Sequence, residues 1–389
     1  MDKQRARVRL SLGGKFIITA VAVVALLGWT PYRFLPATPA PLGQELMGFI
    51  TAVLAYILLT APFDWLGGYA FAPDQPNSTP ADRQNHFLKT WLRGVLAHGA
   101  LYVLLGLLLL WAGRYLGWSL FILVFVFMMF FVAFGQPELM RLVARFRQPK
   151  ADLTAVHEQL RAWGIASQSD VLVWRSDDPH FTGGVAGVIG RHQIILPARW
   201  LEDWPTAVVA YYLARREFLL AENSYLRGAL LSFTMQVAGM ITTAAFLARW
   251  IEPDSVAAVV SVSLGFTIWS FLSDIVLSLI DRRGVTTADL RLLQLGIPRE
   301  VVSQAMYLWD DAQDDEPRTA ELAVNAPYPI PSAYTRLSQL DRVDPDQPWM
   351  PWHMALTGHY YSWAGLNWLA RMSPSMLGRP AVWVLPISD

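Results

Sequence analysis

The sequence predicts an α-helical membrane protein with about six transmembrane helices and an α+β domain on the cytoplasmic side. Three observations lead there. Hydrophobic residues make up 54% of the 389 and charged residues only 16%, with a mean hydropathy of +0.31. That balance is one of a membrane chain. Six apolar runs approach the roughly 20 residues that cross a bilayer as a helix. Between the fourth and fifth runs lies a long polar stretch with strand-like alternation.

The first run, Phe16 to Trp29, follows the basic start MDKQRARVRL, and no small-residue cleavage site precedes PYRFLPATPAP, so an uncleaved helix is expected. Leu46 to Phe63 is the second. Gly94 to Trp111 and Trp118 to Phe134 form a hairpin about a tight turn at Gly113 to Gly117. Ala229 to Leu247 and Val256 to Ile280 complete the set. Asp274, inside the sixth, has to face protein or water, since a carboxylate in lipid is costly. His98, inside the third, reads as a packed or hydrogen-bonded polar residue. Basic residues gather before the first span (Lys3, Arg5, Arg7, Arg9, Lys15), in the second loop (Arg83, Lys89, Arg93), after the fourth span (Arg141, Arg145, Arg147, Lys150) and after the sixth (Arg282, Arg283). The opposite loops hold Arg33, Arg114 and Arg249. The positive-inside rule then places both termini in the cytoplasm and favours a bacterial inner membrane. The bilayer is the first expected partner. With 31 basic and 31 acidic side chains, no nucleic acid partner is expected, and the absence of cysteine excludes disulfides and thiolate metal sites.

The expected division is 1–134 for four spans, 135–228 for a first cytoplasmic part, 229–280 for a transmembrane hairpin, 281–340 for a second cytoplasmic part and 341–389 for a tail rich in Trp and Pro. In the cytoplasmic parts, Asp152 to Trp163 has the spacing of an amphipathic helix, and Val171 to Ser176 and Gln193 to Leu196 read as strands. Pro205 to Asn223 is helical, and Asp289 to Leu295 is a further helix ended by Gly296 and Pro298. Asp310 to Pro317 reads as an acidic surface loop. The tail holds a helix around Tyr360 to Met372 that lies on the membrane surface.

Four segments occur in a telling order: DPHFTGGVAGVIGRHQIILPARWL (Asp178 to Leu201), Arg216-Glu217-Phe218-Leu219-Leu220, DRRGVTTADLRLLQLGI (Asp281 to Ile297) after two spans, and IPSAYTRLSQL (Ile330 to Leu340). This order resembles the membrane zinc metallopeptidases of the HtpX and CAAX prenyl protease group, of gluzincin type. In that group an edge strand precedes an H-E-x-x-H helix, a transmembrane hairpin leads to E-x-x-A-D, and H-P-x-x-x-x-R closes the domain. The resemblance covers roughly Ala151 to Leu340 and implies an α+β metallopeptidase-like domain and a zinc cofactor.

Residue by residue, the carry-over is incomplete. The two zinc-helix histidines fall on Arg216 and Leu220, the third ligand on Val285, and the histidine of the last motif on Ile330. A guanidinium has no lone pair to give, and the other three side chains are apolar. Glu217 keeps the general-base position as a vestige. Asp289, in the supporting position beside the metal, is kept with Ala288, Pro331 and Arg336. The resemblance without its ligands implies a degenerate member that binds no zinc, in which Arg216 pairs with Glu217 or Asp289 on a partly solvated helix face. Phe181, Thr182, Gly183 and Gly184 border an exposed edge strand where strand addition would hold a peptide.

The expected function is therefore that of an inactive metallopeptidase homologue acting as a polypeptide-binding or regulatory membrane protein. The alternative is an active metalloendopeptidase with unconventional ligands and Glu217 as base, with His180 and His192 as the place to look for them. A third reading is a structural membrane protein with an empty cleft. His353 and His359, six apart, make no same-face helical pair.

Overall fold

The computed structural model describes residues 3–71, 79–144, 147–176, 181–187, 192–312, 330–342, 368–372 and 377–378. In chain order its helices are α1 (Lys3–Leu27), α2 (Thr30–Phe34), α3 (Leu42–Trp65), which runs into a π-helical turn (Leu66–Ala70), α4 (Pro80–Ala144) and α5 (Thr154–Ala162). Strands β1 (Asp170–Trp174), β2 (Gly184–Ala186) and β3 (Gln193–Pro197) follow. Then come α6 (Ala198–Asp203), α7 (Thr206–Ala221), α8 (Ser224–Leu247), α9 (Val256–Gln294), α10 (Arg299–Ala312), α11 (Ala333–Leu340) and a single 3-10 turn (Ala370–Met372). The chain forms two compact units. One comprises Met1–Gly135, Phe233–Asp274 and His359–Trp383, the other Gln136–Ser232, Ile275–Gly358 and Val384–Asp389.

The first unit is a helix bundle. Five helical stretches among the described residues are long and apolar enough to cross a membrane: Arg9–Leu27, Leu42–Ala70, Pro80–Gly135, Ser224–Leu247 and Val256–Gln294. The third holds two of the six expected spans. Its helical geometry breaks at Leu116 and Gly117, where Gly117 takes φ +63°. Tyr102, before the break, bonds Ser263 at 3.1 Å, and Phe125, after it, meets Phe266 edge-on at 5.2 Å. A straight helix would separate Tyr102 from Phe125 by roughly 35 Å, whereas Ser263 and Phe266 are one turn apart. The chain therefore reverses at Gly117, as the hairpin requires. Outward faces of the bundle present Phe16, Leu58, Phe127 and Phe131 to the surroundings. So wide an apolar surface needs lipid to cover it, and the protein is a multi-pass integral membrane protein.

α1 begins well before its apolar run. Arg7, Ser11 and Lys15, spaced four apart, share its buried face. Lys15 pairs with Asp274, which faces protein as expected. The described tail residues depart from expectation. Trp368, Leu369, Arg371, Met372 and Leu377 are buried within this unit and do not lie on a membrane surface. The rest of the expected tail helix, with His353 and His359, lies outside the described residues.

The second unit is built on α7 and a three-stranded sheet of order β1-β3-β2. β1 runs parallel to β3, with Asp170 opposite Gln193 and Trp174 opposite Pro197, and β2 is antiparallel to β3, with Gly184 opposite Ile195. β1 and β3 are apolar on both faces (Val173, Trp174, Ile194, Ile195, Leu196 all buried), the usual signature of a strand covered on both sides. The core joins this sheet to α5, α7, α10 and α11 through Val156, Leu160, Ile194, Val209, Trp309 and Leu340. Two expectations change here. The sixth span and the helix expected at Asp289 to Leu295 are one helix, because nothing in Asp-Arg-Arg-Gly breaks the helical backbone. Asp310 sits buried in α10 and not on an acidic surface loop, and 313–329 lie outside the described residues.

Candidate functional site

Helix α7 carries the site. Pro205, with φ preset for a helix entrance, precedes it, and Asn223 at φ +56° follows its end. Every residue from Val208 to Glu217 is buried. Such a helix has no solvent face, so its three consecutive charges, Arg215, Arg216 and Glu217, each need a partner inside the protein. They point in three directions, because neighbours on a helix are about 100° apart.

Arg215 turns to α9. Its Nε donates to Asp289 Oδ1 at 3.2 Å, and the Tyr211 hydroxyl, one turn earlier, donates to the same oxygen at 2.9 Å. From α11, Arg336 grips both oxygens of Asp289 at 2.8 Å. A bidentate guanidinium–carboxylate pair is the strongest ion-pair geometry available. Burial opposes the Arg336 charge, but Asp289 outweighs it and holds the guanidinium more firmly protonated than usual. Burial, then the Asp289 charge, push the Tyr211 hydroxyl up, so it stays a donor.

Arg216 turns to the sheet. Its Nη1 donates to the Ile195 carbonyl and its Nη2 to the Thr182 carbonyl, each at 2.8 Å. The guanidinium also lies 5.2 Å from the centre of the Trp200 ring, within cation–π range. The expected pairing of Arg216 with Glu217 or Asp289 is therefore corrected. Asp289 is held by Arg215 and Arg336, and Glu217 faces elsewhere.

Glu217 turns to the chain just before β1. Its Oε1 accepts from the Ser167 hydroxyl (2.8 Å), the Gln168 N–H (3.1 Å) and the Ser169 N–H (3.0 Å), and its Oε2 accepts from the Ser169 hydroxyl (2.8 Å). The carboxylate is 6% exposed, so the partly solvated face expected of Arg216 and Glu217 does not exist.

The remaining positions are apolar contacts. Leu220 packs against Val185, Leu219, Tyr225 and Ala288. Val285 is fully buried one turn before Ala288 and Asp289, and Ile330 packs on the main core ahead of α11. The structure brings α7, α9 and α11 together at Asp289. The edge strand is a second correction. β2 is an edge in the sheet order, but Phe181, Thr182, Gly183 and Gly184 are all buried. Gly183, at φ +71°, lets the chain approach β3 so closely that a Cβ there would strike the Ile195 carbonyl.

Zinc needs three or four lone-pair donors at about 2 Å. At the three positions where the resemblance places zinc ligands, this chain offers a guanidinium bound to two carbonyls and two hydrocarbon side chains. Of the carboxylates nearby, Glu217 is occupied by four donors and Asp289 by Tyr211, Arg215 and Arg336. These residues do not fit a zinc ion, and no group of three His, Asp or Glu suited to a metal exists among the described residues. His192 stands edge-on to Tyr225 at 5.3 Å, with burial lowering its proton affinity. His180 lies outside the described residues.

Arg215, Tyr211 and the Ser167–Ser169 turn were not singled out from sequence. Tyr211 and Arg215 are four apart, so a shared face was readable. The turn carried only the weak signal of two serines around one residue before a strand.

The fold is similar to that of the crystal structure of S. mikatae Ste24p, with a TM-score of 0.58 over 78% of this chain and 76% of that one, at 14% sequence identity. No protein-family model matches the chain, and no curated protein matches it in sequence.

Proposed function

We propose that this membrane protein has kept the body of a CAAX-protease-type metallopeptidase, exchanged its metal centre for fixed polar contacts, and acts by binding a polypeptide instead of cutting one. The fold is similar to that of Ste24p, and the motif order resembles the membrane zinc metallopeptidases of the HtpX and CAAX prenyl protease group. The observation that carries the reading is the position of Arg216. A permanent cation stands where the first metal ligand is expected, and its donors are committed to Ile195 and Thr182. Glu217 supports it, because a general base needs a lone pair turned toward a water, and this carboxylate is turned toward four donors. Both termini are assigned to the cytoplasm, and the membrane to a bacterial inner membrane, on the strength of the basic residues in the loops.

The test is metal analysis of the detergent-purified chain, beside a peptide-hydrolysis assay on the parent and on Glu217→Gln. The expected result is no stoichiometric zinc and no hydrolysis that depends on Glu217. Stoichiometric zinc, with hydrolysis lost in Glu217→Gln, would overturn the proposal and direct attention to His192 as a ligand.

A further inference from the structure

The described end of the chain sits in the first unit in the manner of a ligand in a receptor. Tyr56 of α3 donates its hydroxyl to the Trp368 carbonyl at 2.7 Å, and Thr267 of α9 accepts the Trp368 N–H at 3.2 Å. From α1, Ser11 donates to the Met372 carbonyl and Arg7 to the Leu377 carbonyl. Side chains of three helices are thus spent on the main chain of one short segment. Packed helices satisfy their own main chains and meet through side chains. This segment has only the turn Ala370–Met372, and its neighbours supply the missing partners. Main-chain bonds for affinity and a few side-chain anchors for specificity are the mark of peptide recognition.

The anchors are specific too. Arg371 pairs with Asp64, buried in α3, and the same Asp64 oxygen accepts the Trp91 indole N–H at 2.9 Å. The Arg371 guanidinium lies 5.6 Å from the centre of the Tyr56 ring. The Trp368 ring lies 5.0 Å from Tyr56 and 6.5 Å from Tyr102. Gly67 and Gly68, in the π-helical turn, admit Leu377 and Gly378 where any Cβ would collide. Single π-helical turns within helices are frequent at functional sites. A cavity of about 30 Å³, with room for a water, remains beside Trp368, Arg371, Tyr56, Tyr102 and His98. The segment matches its seat without filling it as a core would.

We infer that the first unit carries a binding site for a polypeptide segment of the form Trp-x-x-Arg, with Asp64 reading the arginine and Tyr56 and Thr267 reading the main chain, and that the chain's own Trp368–Met372 occupies it as an exchangeable internal ligand. Release of this segment opens the site to a matching segment of another polypeptide. The inference gives polypeptide binding a place and rests on none of the metal positions, so the zinc measurement and the test below fail independently.

The chain has no cysteine, so one introduced thiol reports alone. Met372→Cys is the reporter and Leu109→Cys the control, both positions being fully buried in the parent. The expected result is slow maleimide labelling of the Met372→Cys chain, accelerated at least tenfold by an excess of the peptide Trp-Leu-Ala-Arg-Met. The same peptide with alanine for arginine has no effect. Asp64→Asn accelerates labelling without peptide, while Leu109→Cys stays protected throughout. Labelling of Met372→Cys that ignores the peptide would make the segment a permanent part of the core and overturn the inference. Peptide-driven labelling of both positions together would also overturn it, since that is unfolding and not exchange.

Discussion

Replacing Glu217 separates a structural carboxylate from a catalytic one, because the two roles predict opposite effects on stability. Glu217 accepts four hydrogen bonds, two from main-chain N–H groups and two from serine hydroxyls, at 6% exposure. In Glu217→Gln the amide oxygen can take the three-donor position, and the Ser169 hydroxyl can rotate to accept from the new NH₂. The bonds survive but lose their charge, and a charge-assisted bond is worth about 1 kcal/mol more than a neutral one. The easier desolvation of a neutral amide offsets part of this, leaving a net loss of about 1–2 kcal/mol. In Glu217→Ala, the Gln168 and Ser169 N–H groups lose their acceptor, at about 1–3 kcal/mol each, for a total loss of roughly 3–5 kcal/mol. The assay is thermal unfolding in detergent, followed by the fluorescence of the buried Trp174 and Trp200. At roughly 2–4 °C per kcal/mol, the two variants separate clearly. A poised general base would behave otherwise, since catalytic groups are often held at a cost to stability that their removal relieves. A Gln variant as stable as the parent or more so, or Gln and Ala variants that melt together, would refute the structural role.

Three further outcomes follow from the same unit. Asp289→Asn leaves Arg215 and Arg336 without their shared anion and is expected to cost about 3–5 kcal/mol, whereas Tyr211→Phe removes one of several donors and costs about 1 kcal/mol; equal melting temperatures would contradict the network. Burial lifts the Asp310 carboxyl to about 7, against the pull of the Ala333 N–H and the Arg336 charge. The folded chain then binds that proton more tightly than the unfolded chain, so stability falls by about 4 kcal/mol as pH rises from about 4 to 7 and levels off above; Asp310→Asn should melt like the parent below about pH 4 and well above it at pH 8. Gly183→Ala meets both a left-handed backbone and the Ile195 carbonyl and should lower stability by more than about 1 kcal/mol, read by the same melting curves.

Much of the architecture was legible because hydrophobic runs and glycines report on local geometry. The hairpin turn at Gly113 to Gly117 is an example, since a six-residue interruption between two apolar runs leaves the chain no other course. Asp289 and Arg336 stood out in sequence only as matches to the resemblance, and their pairing, which joins α9 to α11, was not read from it. What each side chain touches was less legible. Arg215 and Arg216 are neighbours, and which of them meets Asp289 depends on the rotation of α7 about its axis, which no motif in this sequence fixes. The exposure of the Phe181–Gly184 edge was misread because its glycines announce a turn and say nothing of what lies over it. The tail was misread for a related reason: Trp and Pro suit a membrane surface as well as the inside of a bundle. The discriminating signal was an imbalance, Asp64 directly after an apolar span with no cation near it in sequence, and Arg371 supplies one from far along the chain.

On the proposed reading, the residues that match the metallopeptidase pattern share one physical property. Asp289, Arg336, Gly183 and Pro197 each fix the position of a helix or a strand, through a buried ion pair, a close backbone approach or a strand end. On the same reading, the three positions that the pattern gives to metal ligands, Arg216, Leu220 and Val285, hold no metal donor, and Ile330 stands at the position of its last histidine. An imidazole buried at these positions without a metal would be a polar group without a partner, at a cost of about 1–3 kcal/mol each. Leucine, valine and isoleucine remove that cost by packing. Arginine at 216 removes it differently, by reaching the Ile195 and Thr182 carbonyls and the Trp200 ring. Placing histidine at position 216 alone should therefore destabilise the chain, because it withdraws donors from two buried carbonyls without giving the imidazole a metal. Only donors placed together at 216, 220 and 285 would make a set that zinc could use.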